Sequence, residues 1–183
     1  IAGFTASNKL YGILEIAASS YGYAMITYVG QNLGAGKYSR IRQGMRSAII
    51  IAIATSIAIA MVMLLGGRAI LSCFVSGTPQ EVEQTLQVAY FYLSIMSVAL
   101  PVLYLLHVVR SAIQGMGNTL LPMVSGIAEF TMRTATALLL PLAVGEVGIF
   151  FAEPAAWAGA DVVLVISYFA ISRKYLKKED QTS

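Results

Sequence analysis

Long apolar stretches alternate with short polar segments along this chain. The clearest stretch, residues 47–65, contains no charged residue and is rich in Ile, Ala and Met. Because about 20 apolar residues in a helix cross the hydrocarbon core of a bilayer, this stretch is typical of a transmembrane helix. Four further stretches have a similar length and few charges. The five predicted spans are residues 10–33, 47–65, 86–109, 120–143 and 154–172.

Small and helix-breaking residues refine these spans. The small residues 17–22 favour close packing of the first helix against a neighbour. We expect Gly66, Gly67 and Arg68 to end the second span. Pro101 lies inside the third span, where it removes a backbone donor, so we expect a kink there.

Composition excludes most other classes of protein. The chain is 57% hydrophobic and 11% charged, whereas soluble domains are near 25% charged. A disordered protein is excluded, and a buried soluble helical bundle is the disfavoured alternative to a membrane protein. One cysteine excludes a disulfide framework, and a net charge of +3 gives no reason to expect nucleic acid as a partner. We therefore predict an all-α, polytopic transmembrane bundle over residues 1–172 and a cytoplasmic tail over residues 173–183.

Charge placement predicts the orientation. Nine of the twelve basic residues fall in three segments that alternate along the predicted spans. By the positive-inside rule these segments and the carboxyl terminus are cytoplasmic. The chain starts at Ile1 without an initiator Met, so we expect it to be a fragment of a longer protein. With five spans and a cytoplasmic carboxyl terminus, Ile1 should lie on the outer side of the membrane. The nine are Lys37, Arg40, Arg42, Arg46, Arg110, Arg173, Lys174, Lys177 and Lys178.

Glu129 and Arg133 are the ionisable residues that lie deepest in a predicted span. Their spacing of four places them on one face of a helix, with the acid on the amino-terminal side, which favours a pair. A charge inside a membrane costs about 2.5 to 3.5 kcal/mol, so both should face the bundle interior or a cavity. Two interpretations remain open: a structural ion pair, or a site linked to proton or ion transport.

The other polar and aromatic residues favour ordinary roles. Glu15 and Asp161 fall near the outer ends of their spans, where we expect water to reach them, and His107 falls near the lipid headgroups. We expect most tyrosines near the span ends, and Trp157, to act as interfacial anchors. The sequence shows no nucleophile with a base and no set of residues with metal-ligand spacing, so neither an enzyme nor a metal site is predicted.

The loop over residues 30–46, GQNLGAGKYSRIRQGMR, is rich in glycine but does not match a phosphate-binding loop. Gln31 occupies the position of the first glycine, and Tyr38 occupies the position of the serine or threonine. We expect a tight turn in which Gly34 and Gly36 take positive φ, with basic side chains at the lipid headgroups. In the second connection, RSAIQGMGNTLLP over residues 110–122, two glycines should break the helix and Asn118 or Thr119 should cap the next one.

These two loops, Glu129 with Arg133, and the segment FAEPAAWAGAD together resemble the carboxyl-terminal half of bacterial multidrug and toxic compound extrusion (MATE) transporters. The resemblance implies twelve spans in two six-helix lobes, of which this chain holds the last five. It also implies exchange of organic, often cationic, compounds for H⁺ or Na⁺ by alternating access. The implied partners are membrane lipid, small organic substrates and the remaining amino-terminal lobe, in the inner (plasma) membrane and without a cofactor.

The resemblance also implies roles for individual positions. Glu129 and Arg133 match a pattern in one branch of the family and are the candidates for transport or coupling. Some members carry a coupling acid in the span that matches residues 86–109, and this chain has none there. A flippase of lipid-linked oligosaccharides, a non-transporting membrane subunit, or an enzyme with catalytic residues upstream remain alternatives. The cytoplasmic loop motifs correspond to Gln31, Asn32, Gly34 and Gly36, and to Gln114, Gly115, Gly117 and Pro122.

Overall fold

A computed structural model describes the backbone of residues 2–179 and the side chains of residues 10–173 apart from residue 13. Over this range the chain forms five long α-helices and one short 3₁₀ helix, without a strand. The predicted all-α class is therefore confirmed. The helices are α1 (Ala2–Gly34), α2 (Tyr38–Ser72), α3 (Pro79–Gly115), α4 (Leu120–Val144), the 3₁₀ segment (Glu146–Phe151) and α5 (Ala152–Glu179).

Four of the described helical segments are long and apolar enough to cross a membrane: α2, α3, α4 and the segment Glu146–Arg173. The role of α1 as a fifth span stays a prediction. Helix α5 continues to Glu179, into the segment predicted as a tail, and residues 180–183 lie outside the described residues. The side chains of Lys174, Lys177 and Lys178, which contribute to the predicted orientation, also lie outside the described residues.

The predicted end of the second span is not the end of its helix. Helix α2 passes through Gly66 and Gly67 and ends at Ser72. Gly67 is buried, and a Cβ placed there would lie 2.7 Å from Cδ2 of Leu93 on α3. This glycine therefore permits close packing between two helices and does not break one. Helix α3 continues through Pro101, and the kink expected there stays a prediction.

Helix α3 forms the core of the bundle, because it packs against α1, α2 and α5 and carries most of the fully buried side chains. Small residues bring α1 close to it. A Cβ on Gly22 would lie 2.7 Å from Oγ of Ser111, and one on Gly115 would lie 2.8 Å from the carbonyl oxygen of Ile26. Close packing by the small residues of α1 is thus confirmed at Gly22.

Helix α4 packs mainly against α5 and the 3₁₀ segment. None of its most apolar stretch is buried within the chain. Large apolar side chains such as Phe130, Leu139 and Leu142 are exposed on it. In water such a surface would drive association, whereas in a bilayer it is the ordinary surface of a spanning helix.

Candidate functional site

Glu129 lies at the centre of a group of charged side chains between α3 and α4. The Nη2 atom of Arg110 on α3 donates to Oε2 of Glu129 over 2.6 Å, and Nη2 of Arg133 donates to Oε1 over 3.0 Å. The side chain of Glu129 is 19% exposed. Both carboxylate oxygens are therefore used, each by a different arginine, and the predicted contact between Glu129 and Arg133 is confirmed.

The group extends to a third helix. Nη2 of Arg133 also lies 2.8 Å from Oε2 of Glu153, in the first turn of α5. Arg110, Glu129, Arg133 and Glu153 thus form a chain of alternating charges across α3, α4 and α5, which we term the charge network. Its formal charges sum to zero, and each charged group has an oppositely charged neighbour that offsets part of its burial cost.

Two turns position these side chains. Between α3 and α4, Gly117 takes φ = 78°, and Oδ1 of Asn118 accepts from the backbone N of Leu121 over 3.0 Å. This turn reverses the chain within a few residues, so Arg110 faces Glu129. At the other end of α4, Gly145 takes φ = 77°, and a Cβ on Gly148 would lie 2.7 Å from the backbone N of Pro141. The tight second turn brings the start of α5 back beside α4.

Three residues of this region lie in surroundings that the sequence did not predict. Arg110 is not in a cytoplasmic loop but in the last turns of α3, and Glu153 is a partner of Arg133. Asp161, expected to be solvated, is only 7% exposed, and neither of its carboxylate oxygens has a hydrogen-bond partner among the described residues. The isolation of Arg110 and Asp161 within apolar helical stretches was a signal that could have identified them.

The aromatic residues also differ from the prediction. Trp157 is 2% exposed and stacks on Tyr11 of α1, with ring centroids 5.7 Å apart. Tyr92 and Tyr104 are buried as well, whereas Tyr23 is exposed. Those three buried rings pack helices together and do not anchor the chain at an interface. His107 is half-buried, and its Nδ1 lies 3.0 Å from the carbonyl oxygen of Leu103 one turn earlier in α3.

The first loop motif forms the turn between α1 and α2. Gly36 takes φ = 67°, as predicted, but Gly34 is the last helical residue of α1 and has no positive φ. The side-chain amide of Asn32 donates to the carbonyl oxygen of Tyr28 over 2.8 Å, and Gln31 is exposed. The motif therefore terminates a helix and reverses the chain.

The second loop motif combines a turn with a helix contact. Gln114 is exposed, Gly115 lies against α1 as the last residue of α3, and Gly117 supplies the positive φ. Pro122 is buried in the first turn of α4. The structure thus assigns local packing to these positions, and any part they have in transport stays a prediction.

The two loop ends lie at the same end of the bundle as a cavity of about 560 Å³ between α2 and α5. Arg42, Arg46 and Arg173 line it, together with Tyr168 and Phe169. The basic side chains of the first loop and of the α5 end therefore share one end of the molecule. Their contact with lipid headgroups remains a prediction. Among the described residues no group of three or more His, Cys, Asp or Glu could hold a metal ion.

Comparison with known protein families identifies the family of this chain. The model of the MatE family matches residues 1–139, about three quarters of the chain. The chain belongs to the MatE family. The match includes both glycine loops, Arg110, Glu129 and Arg133, while Glu153 and Asp161 lie beyond it. Neither a curated protein nor a solved structure matches the chain.

As a MatE protein with several apolar helices, the chain is a multi-pass membrane protein of a transporter family. The lipid environment expected from its composition follows from the same two observations. Members of this family are transporters and not enzymes.

Proposed function

We propose that this chain is part of a secondary active antiporter that exports organic, often cationic, compounds in exchange for H⁺ or Na⁺. The observation that carries the proposal is the charge network of Arg110, Glu129, Arg133 and Glu153. Ionisable groups at membrane depth are costly and are typical of substrate or ion pathways. A network that joins three helices also gives a bound ion a way to change how those helices pack.

The sign of the charges favours cations over the main alternative. A flippase of lipid-linked oligosaccharides would need an excess of positive charge to hold a phosphate group. The charge network has none, since two arginines face two glutamates, and Asp161 adds a further acid that is negative only after it loses its proton. A site with this balance is better suited to a positively charged organic compound.

The proposal is tested with the full-length protein in everted membrane vesicles. We expect wild-type vesicles to accumulate the fluorescent cation ethidium when a proton or a sodium gradient is imposed. Glu129→Gln should lower the initial rate roughly tenfold or more, because two partly buried arginines lose the carboxylate that they share.

The matched control is Glu83→Gln, which removes an acid from the exposed ion pair with Arg68 at the start of α3. Exposed pairs contribute little, so this variant should transport like the wild type. Collapsing the proton gradient or the sodium gradient separately identifies the coupling ion. If neither gradient moves ethidium in the wild type, antiport of organic cations is refuted.

A further inference from the structure

Asp161 is a buried acid for which the charge network provides no partner. It lies on α5, is 7% exposed, and has no hydrogen bond to either carboxylate oxygen from the described residues. An ionised carboxylate without a partner in an apolar interior is so costly that the group takes up a proton instead. Burial without a partner therefore favours the neutral carboxyl group over the carboxylate.

Arg110, an electrostatic neighbour of Asp161, has a donor without a partner among the described residues. Helix α5 packs against α4, α3, the 3₁₀ segment and α2. Among the charged groups on these elements, Arg110 of α3 and Glu129 of α4 interact electrostatically with Asp161. Arg110 donates a hydrogen bond to Glu129 through Nη2. The Nε atom of Arg110 is buried and has no hydrogen-bond partner among the described residues.

We propose that Asp161 is a proton-binding site whose proton is exchanged for a bound organic cation, and that its carboxylate competes with Glu129 for Arg110. When Asp161 releases its proton to water, its carboxylate becomes a stronger acceptor for the unused Nε–H of Arg110. The bond between Arg110 and Glu129 is then weakened, so loss of the proton at α5 alters the contact between α3 and α4.

Charge balance supports exchange for a cation. With Asp161 protonated, Asp161 and the charge network together are neutral, since two arginines balance two glutamates. Loss of the proton leaves one net negative charge in a region of low dielectric constant, where it attracts a cation strongly. A monovalent organic cation restores neutrality, so binding of the cation and binding of the proton exclude each other. The inference rests on the proposed antiport and assigns its proton site.

The first measurement detects the proton directly in the purified full-length protein. Infrared difference spectra recorded between high and low pH should contain the carbonyl band of a protonated buried carboxyl group. The band should be absent in Asp161→Asn and unchanged in Glu146→Gln, a control at an exposed acid in the 3₁₀ segment. A band that persists in Asp161→Asn would overturn the proposal.

The second measurement links the proton to the substrate class. In weakly buffered solution, wild-type protein should release protons when tetraphenylphosphonium binds. Asp161→Asn resembles the protonated acid in shape, so it should remain folded and release none. Asp161→Glu keeps a titratable acid and should release protons, with a pH dependence different from that of the wild type. Equal release from wild type and Asp161→Asn contradicts the exchange.

The pH midpoint of the infrared band tests whether Asp161 and Glu129 compete for Arg110. In Arg110→Met the positive charge that favours ionised Asp161 is lost, so the pH midpoint of the infrared band should move to a higher pH. An unchanged midpoint would refute the competition for Arg110. The outcomes also separate this inference from the proposed function: if the band titrates and disappears in Asp161→Asn while no gradient drives ethidium movement, the proton site stands and antiport fails.

Discussion

Gly115 lies where α3 passes closest to α1. A Cβ at this position would be 2.8 Å from the carbonyl oxygen of Ile26 and 2.9 Å from Cβ of Val29. Backbone atoms of a packed helix cannot move aside as the end of a flexible side chain can, so a methyl group there must push the two helices apart. The absence of a Cβ at Gly115 thus permits the close approach of α3 and α1.

We expect Gly115→Ala to destabilise the full-length protein by about 1 to 3 kcal/mol through overpacking. The control is Gly126→Ala on α4, where a Cβ would meet nothing within 4 Å. Alanine favours a helix over glycine by up to about 1 kcal/mol, so the control should be neutral or stabilising. Thermal unfolding in detergent checks both variants, and equal unfolding temperatures would contradict the close approach of the helices.

At the residue scale, the contacts of the charge network have two origins: spacing within one helix and packing between helices. The contact of Glu129 with Arg133 is local, because residues four apart on one helix are neighbours wherever the helix lies. The contacts with Arg110 and Glu153 depend on how three helices are rotated and how deep each one sits. Sequence spacing holds no information on those two quantities, which is why only the first contact was predicted.

At the scale of elements, an aromatic contact joins α5 to α1. Trp157 is 2% exposed and stacks on Tyr11 of α1 with an interplanar angle of 19°. Because the ring joins the last helix of the chain to the first, its burial ties together elements that are distant in sequence. The position near a predicted span end had favoured an interfacial anchor, and burial of the ring overrides that interpretation.

Trp157→Ala should therefore cost about 3 to 5 kcal/mol of stability, the usual range for removing a buried Trp. Trp157→Phe keeps an aromatic ring against Tyr11 and should cost less. The control is Phe169→Ala on the same helix, where the side chain is 57% exposed and faces no core. Unfolding of the full-length protein in detergent distinguishes them, and a Trp157→Ala variant as stable as Phe169→Ala would show that the ring is not packed.

At the scale of the whole molecule, the two ends of the bundle differ in charge. Arg42, Arg46 and Arg173 line one cavity at the end that carries both glycine loops. The other end carries the exposed pair of Arg68 and Glu83. By the positive-inside rule the first end faces the cytoplasm, which remains a prediction for this chain.

Cys73 allows this orientation to be tested, because it is exposed where α2 ends. In intact cells that make the full-length protein with its other cysteines replaced, a membrane-impermeant thiol reagent should modify Cys73. Ser39→Cys, made in a Cys73→Ser background, places a thiol at the start of α2 and should react only after the cells are permeabilised. The reverse pattern of labelling would invert the topology.

The sequence by itself determined the lipid environment, the class of fold, the approximate bounds of the helices and the family. Each follows from composition, from the length of apolar stretches or from motifs along the chain. It also determined the contact between Glu129 and Arg133, since helix geometry makes that contact local.

Only the tertiary structure decided that Gly67 packs against α3 and that Arg110 and Glu153 join the charge network. The same is true of the burial of Asp161 and Trp157. The physical reason is that lipid tails are as apolar as a protein core, so a face toward lipid and a face toward another helix have similar sequences. Helix packing decides which face of each helix contacts lipid and which contacts another helix.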